Sequence, residues 1–425
     1  MKSKRVIRTY ITIASLYTLS ASLIWGVNTL FLLDAGLDIF SVFVANAVFT
    51  AAMVVFEVST GVVADTSGRR VSFLLSMAVL CFATLGYVGV SIAGDGLFWF
   101  CVMSVFLGLG FTFYSGAVEA WLVDALKATN YDGELEHVFA RTGMITSALM
   151  LVGTVGGGIL GTINLAFPYV VRALLLAIVF GWAFVGMHDI GYTPRALTAS
   201  AIPAEMRKVA HESISYGWRK QSVRLIMVTT FIHGAYSIWG FYAAQPHFLN
   251  LLGQPDAIWV AGVVAALVSI TGILGNWLIS RFMNRLHFRT TLLIAAAALM
   301  TAATIGVGLV NSFWLAVPLF LLGTLAFNLF LPVKQAYLHQ GIPSEQRATV
   351  ISFDSMMGSA GGIAGQSGLG YLSRQQGIAA GFVTGGVITL LAIPFLLMLR
   401  GLNDPEDQIL PAAGKTTAPS AEISQ

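Results

Sequence analysis

Charge is scarce in this chain of 425 residues: Asp, Glu, Lys and Arg together make up 10% of it. A soluble domain keeps about a quarter of its residues charged, so an ordinary water-facing surface is excluded. Cysteine is nearly absent. Cys81 and Cys101 lie in different apolar runs, which gives no disulfide framework and no metal-type spacing. The formal net charge of +3 is too small and too scattered to suit nucleic acid. No P-loop appears, which disfavours nucleotide-driven work by this chain, and no constellation of His, Cys and Asp with ligand or nucleophile spacing points to an enzyme. No cofactor and no metal is expected. What is abundant is apolar: 56% of the residues are hydrophobic, and the solvent for most of them must be lipid.

Runs of roughly 20 apolar residues, enough to cross a bilayer as helix, recur along the chain. They lie near 9–33, 40–64, 71–93, 97–126, 142–163 and 165–187, then near 223–252, 257–284, 290–310, 312–340, 348–372 and 377–399. The expected fold is therefore an all-α polytopic membrane protein with twelve transmembrane helices. The start resembles a signal peptide, with Lys2, Lys4, Arg5 and Arg8 before an apolar run. That run is too long for a signal core and many like it follow, so an uncleaved first span is expected. The polar stretch from His188 to about Ser222 divides two sets of six. The expected organisation is a bundle over 1–187, a middle loop over 188–222, a second bundle over 223–400 and a disordered tail over 401–425. An even number of spans puts both termini on one side. Every Lys and Arg except Arg172 and Arg374 falls toward that side, which orients the termini to the cytoplasm of a cell membrane.

The two halves resemble each other. "EAWL" at 119–122 answers "QAYL" at 335–338, and the segment from Arg141 answers the one from Arg347. Gly61 has a counterpart in Gly275. Duplicated membrane halves commonly meet at a central site and work by rocking one half against the other.

The second run ends in "STGVVADTSGRR" (59–70). Glu57, Gly61 and Asp65, spaced by four, form one helical stripe. Gly61 would admit a close backbone, Gly68 a tight turn, and Arg69 and Arg70 would stay at the interface. A turn that merely sets topology is the plainer reading of the same residues.

"GVVADTSGRR" resembles the loop 2–3 signature of the major facilitator superfamily, Gly-x-x-x-Asp-x-x-Gly-Arg-Arg/Lys, and the six-plus-six layout extends the resemblance over essentially the whole chain. "FEVSTGVVAD" and "SGAVEAWLVDAL" are similar to a subgroup of drug:proton antiporters. The resemblance implies a gate latch in which Asp65 faces the N-terminus of the eleventh helix near Thr349. Arg69 would pair with Asp124, and Arg141 would join them. It implies a monomeric secondary transporter whose partners are protons, lipid and a small-molecule substrate. Two departures stand out. Ser104 replaces the arginine expected ahead of "GLG" in the fourth span, and "GTVGGGILG" lacks the proline of the fifth-span antiporter signature. Its Gly153, Gly157 and Gly161 still make a small-residue stripe suited to close helix packing. Gly358 and Gly362 follow Asp354 at the same spacing of four.

Charges at membrane depth are costly and are functional candidates by default. Glu57, Glu119, Lys334 and Asp354 lie roughly 10–12 Å in from the cytoplasmic ends at ~1.5 Å per residue. They are the candidates for proton or substrate work, with snorkelling or structural pairing as the alternative. Glu119 and Lys334 are nearly equivalent in the repeat and are expected to pair when the cavity closes toward the cytoplasm. Glu57 and Asp354 are expected to approach at similar depth. His233 and His339 could titrate or could simply hydrogen-bond. Arg172 and Asp34 are read as interfacial on the outer side.

Aromatic residues crowd the spans that line the cavity in the resembled family. Tyr17, Trp25, Phe113, Tyr114, Tyr236, Trp239 and Phe327 are the expected lining. It suits a bulky, partly apolar solute. The function expected from the sequence is proton-coupled efflux of an amphipathic small molecule, with metabolite import by the same fold as the alternative and a membrane enzyme as a remoter one.

Overall fold

The computed structural model describes residues 3–94, 96–193, 218–342 and 344–409. Most of the middle loop (194–217) and the end of the tail (410–425) lie outside the described residues. Helix covers each expected span. The first half holds α1 Ser3–Trp25, α2 Asn28–Asp34, α3 Ile39–Ser67, α4 Arg69–Ala93, α5 Gly96–Tyr114, α6 Ala117–Ala128, α7 Leu135–Ile163 and α8 Phe167–Gly186. The second half holds α9 Gln221–Leu252, α10 Ile258–Phe282, α11 Arg289–Leu309, α12 Phe313–Gly341, α13 Ser344–Gln376, α14 Ile378–Leu390 and α15 Ala392–Gly401.

Among the described residues, nine helical spans are long and apolar enough to cross a membrane, or ten if the bent pair α1–α2 counts as one. The long helices α9 and α13 fall outside that count because they are more polar. They carry His233, Gln245, Asp354 and Gln366, all buried. Polar groups at such positions must be satisfied within the protein.

Three spans are interrupted, only the first of them by a sharp bend. The axis bends 50° between α1 and α2. Gly116, at φ 74°, separates α5 from α6, and α14 gives way to α15 at Leu391. None of these breaks was visible in the apolar runs.

Two bundles result. In the first, α1 packs on α7 and α8, α3 on α5, and α4 on α5 and α8. In the second, α9 packs on α13, and α11 on α12 and α14. Lipid chains are as apolar as leucine, so helices associate through close packing rather than hydrophobic expulsion. The glycine stripes provide it. Gly157 lies against the backbone of Leu23, and a Cβ at Gly153 would stand 3.0 Å from the Leu19 carbonyl. In the second bundle Gly361 and Gly365 let α13 ride on the backbone of α9 at Phe231 and Ala235. Gly358 and Gly362 meet Thr230 and Ile238 of the same helix. Gly61, by contrast, has open space where a Cβ would be, so the close approach expected there is missing from this arrangement.

Residues 402–409, expected within a disordered tail, are held beneath the second bundle. Asp407 accepts from the backbone N–H of Thr290 at 2.7 Å and from its hydroxyl at 2.6 Å, capping the start of α11. Lys220 pairs with Glu406 at 2.8 Å.

Candidate functional site: an interbundle cavity closed at one end

The bundles meet through α2 on α9, α3 on α13, and α7 on α10. Every described hydrogen bond, ion pair and ring contact between them lies at the end away from the chain termini. Asp38 pairs with Arg374 at 3.3 Å, and Phe40 meets Tyr371 edge-on. Phe43 packs on Trp239 with ring centroids 5.8 Å apart, and Gln366 donates to Thr50 at 3.3 Å. A Cβ at Gly158 would stand 2.9 Å from the Gly262 Cα, so glycine is required where these two helices cross. Asp38 also caps α3, accepting from Ser41 N–H at 2.8 Å. That bond, first among its causes, holds the Asp38 carboxyl below its ordinary range.

Gln245 makes the most specific of these contacts. Breaking the helix between Trp25 and Asn28 frees backbone groups at Trp25 and Thr29. The Gln245 amide, on α9 of the other bundle, donates to the Trp25 carbonyl at 2.7 Å and accepts from Thr29 N–H at 3.0 Å. It replaces a missing stretch of helix with one side chain. Sequence reading missed it, although a lone amide in "YAAQPHF" is the kind of signal a buried polar group leaves.

Below this seal lies a cavity of about 560 Å³, lined from both bundles. Tyr17, Trp25 and Phe327 face it, as do Phe111, Phe241 and Tyr242. Tyr114 stacks behind Tyr17 at 3.7 Å between ring centroids. Tyr236 lines a smaller adjoining space. Trp239 is fully buried in the seal, with Phe43 and Phe382 as ring neighbours, and Phe113 does not reach the wall of the large cavity.

The four charges expected at depth separate into two kinds. Lys334 and Asp354 form a buried pair at 2.6 Å between α12 and α13. Thr230 of α9 completes it, donating to Asp354 at 2.6 Å and accepting from Lys334 at 3.0 Å. His233 stands beside Lys334 with both ring nitrogens unpartnered and Phe330 edge-on at 4.5 Å. Lys334 is therefore neutralised inside its own bundle rather than by Glu119. Glu119 is exposed, and its electrostatic neighbours Tyr10 and Tyr114 belong to the first bundle. Glu57 is exposed as well, with Ser115 as its hydrogen-bonding neighbour.

At the α3–α4 turn, Asp65 pairs with Arg69 at 2.7 Å along its own chain. Arg69 does not bond Asp124, and Arg141 is exposed with no described ion pair. The turn is instead clasped by the segment after α8. Asp189 accepts from Arg70 N–H at 2.9 Å and fills the space a side chain at Gly68 would need, and Gly68 has φ 106°. Burial pushes the Asp189 carboxyl upward. Tyr192 donates to the Asp65 carbonyl at 2.6 Å, and Arg70 lies over the Phe184 ring.

Arg172 is not interfacial. It sits about 8 Å inside the start of α8 at ~1.5 Å per residue, is 7% exposed and lines the cavity.

Paired helical bundles around a central cavity, with a buried ion pair at depth, are the build of a membrane transporter. The family model of the Major Facilitator Superfamily matches residues 10–366 and 260–425, and the chain belongs to that superfamily. It is a multi-pass membrane protein. The MFS-type transporter YxaM of Bacillus subtilis (strain 168) is 23% identical over 393 residues, covering 89% of this chain and 92% of YxaM. The class G tetracycline resistance protein of Vibrio anguillarum is 23% identical, covering 82% and 86%. Among solved structures, the nucleoside transporter NupG superposes with a TM-score of 0.77 at 12% identity, covering 93% of this chain and 99% of NupG. A bacterial homologue of the human lysosomal transporter Spinster, in an inward-facing and unoccupied conformation, gives 0.71 at 14%, covering 96% and 99%. These relatives and neighbours are transporters rather than enzymes.

Proposed function

We propose that the chain exports an amphipathic small molecule in exchange for protons by alternating access, as a monomer in the cell membrane with its termini in the cytoplasm. The observation that carries the reading is the cavity, sealed at one end by the Gln245 bridge and the Asp38–Arg374 pair, with no described bonds between the bundles at the other. The aromatic lining supports a partly apolar solute, and a tetracycline resistance protein among the relatives favours export over uptake. The Lys334–Asp354 pair is the proton-coupling site of this reading, because a carboxylate at that depth stays charged only while its partner is in place. In proteoliposomes with an imposed pH gradient, flux of an aromatic amphipathic compound should follow the gradient and collapse with an uncoupler. Flux of every tested compound indifferent to the gradient would remove proton coupling.

Asp65 keeps its latch role in this proposal, engaging α13 only when the cavity closes toward the cytoplasm. Here its carboxylate is held by Arg69 in a half-exposed pair, and such pairs contribute little stability, about 0–1 kcal/mol. Asp65→Asn should therefore slow turnover several-fold while leaving the unfolding temperature nearly unchanged. A variant that turns over normally would take Asp65 out of the gate.

A further inference from the structure

Among the described residues, Arg172 is the one charged residue on the wall of the large cavity, and none of them pairs with its charge. No carboxylate of the described residues lines the cavity. No described hydrogen bond or ion pair reaches the guanidinium, its Nε is buried without an acceptor, and it lies over no aromatic ring. The titratable groups around it are the phenols of Tyr17, Tyr169, Tyr242 and Tyr87. These are neutral at physiological pH. An unpaired cation at membrane depth is expensive, so the site is poised to gain from a counter-charge brought in from outside.

The neighbouring wall is also unfinished. Tyr169 donates to Asn28 at 2.8 Å and Asn28 donates to Asn46 at 3.2 Å. That chain fixes both amides and leaves Asn46 Nδ2 as a buried donor without an acceptor. A guanidinium and an amide N–H, both unmet and both on this wall, offer donors to an anionic oxygen.

We infer that the substrate is an organic anion, with its carboxylate, sulfonate or phosphate group docked on Arg172 and Asn46 and its apolar body against Trp25, Phe111, Phe241 and Phe327. This inference rests on the cavity being the transport site, and it narrows the amphipathic solute to one sign of charge. Arginine suits the task because its planar fork can hold two oxygens at once.

The test uses one aromatic body in three charge states: 2-naphthoate, 2-naphthamide and 2-naphthylmethylammonium, titrated against the purified full-length protein at neutral pH by tryptophan quenching. Wild type should bind naphthoate most tightly. Arg172→Gln should weaken naphthoate binding about 30-fold or more, the usual consequence of truncating one member of a buried charge pair. Binding of the amide should change little, and that unchanged binding also reports that the variant is folded. Arg172→Lys, which keeps the charge without the fork, should fall between. If Arg172→Gln does not fold, the comparison of naphthoate with the amide and the ammonium in wild type and Arg172→Lys decides alone. Equal binding of the three probes, or preference for the ammonium, overturns the anion assignment and leaves the cavity standing. Binding of none of them at millimolar concentration overturns the assignment together with the cavity's role.

Discussion

Asp354→Asn is expected to abolish proton-driven transport and to cost about 3–5 kcal/mol of stability, the range for removing one partner of a buried ion pair. The cause is Lys334. Its side chain is 4% exposed and, among the described residues, bonds only Asp354 and the Thr230 hydroxyl. With asparagine opposite, a full charge remains in a site built to be neutral. Thr230 and the neighbouring His233 ring can accept from Lys334, but neither carries the negative charge that would neutralise it. Replacing both members, as Asp354→Leu with Lys334→Met, removes the stranded charge and should recover most of the stability without any transport. SDS-titration unfolding and proteoliposome flux separate the two effects. An Asp354→Asn protein as stable as wild type would mean that Lys334 finds water, and the pair would then be incidental to the cycle.

Gln245→Leu is the second large effect. The variant keeps volume in the seal but leaves the part-buried Trp25 carbonyl and the buried Thr29 N–H without their partner. Each unsatisfied buried group costs about 1–3 kcal/mol. That cost falls only on the arrangement sealed at this end, because the partners sit on opposite bundles. The population should shift toward the alternative state. A cysteine placed at Phe43, fully buried in wild type, should become reactive to a membrane-impermeant maleimide in the Gln245→Leu background. A Phe43→Cys thiol equally protected with and without Gln245 would show that the amide does not hold the seal.

Some of this architecture was legible in the sequence and some was not, for identifiable reasons. The positions of the helices followed from apolar runs, since the bilayer demands continuous hydrophobic length. The breaks at Gly26 and Gly116 did not, because a broken helix and a whole one can share the same composition. Counting residues placed Lys334 and Asp354 at one depth. Which of the deep charges meet is decided by how α9, α12 and α13 rotate about their axes, and repeat symmetry pointed instead to Glu119. Arg172 was assigned to the interface on its distance from the helix end. Depth along a helix is readable from sequence, whereas the face it presents depends on neighbours supplied by distant parts of the chain. The latch residues illustrate a further limit. A motif that acts in one conformation need leave no mark in another, and here, with the proposed latch not engaged, Asp65 and Arg69 hold each other.

The cap that Asp407 places on α11 has a consequence for the order in which the protein is made. Thr290 and Asp407 are separated by 117 positions, so α11 leaves the ribosome and enters the bilayer long before its cap exists. Until the closing residues are translated, the first backbone N–H groups of that helix must be satisfied by water or lipid headgroups. The second bundle is therefore completed only once Asp407 has been made, and a nascent chain released between Gly401 and that position would carry the described spans yet lack the clasp beneath them.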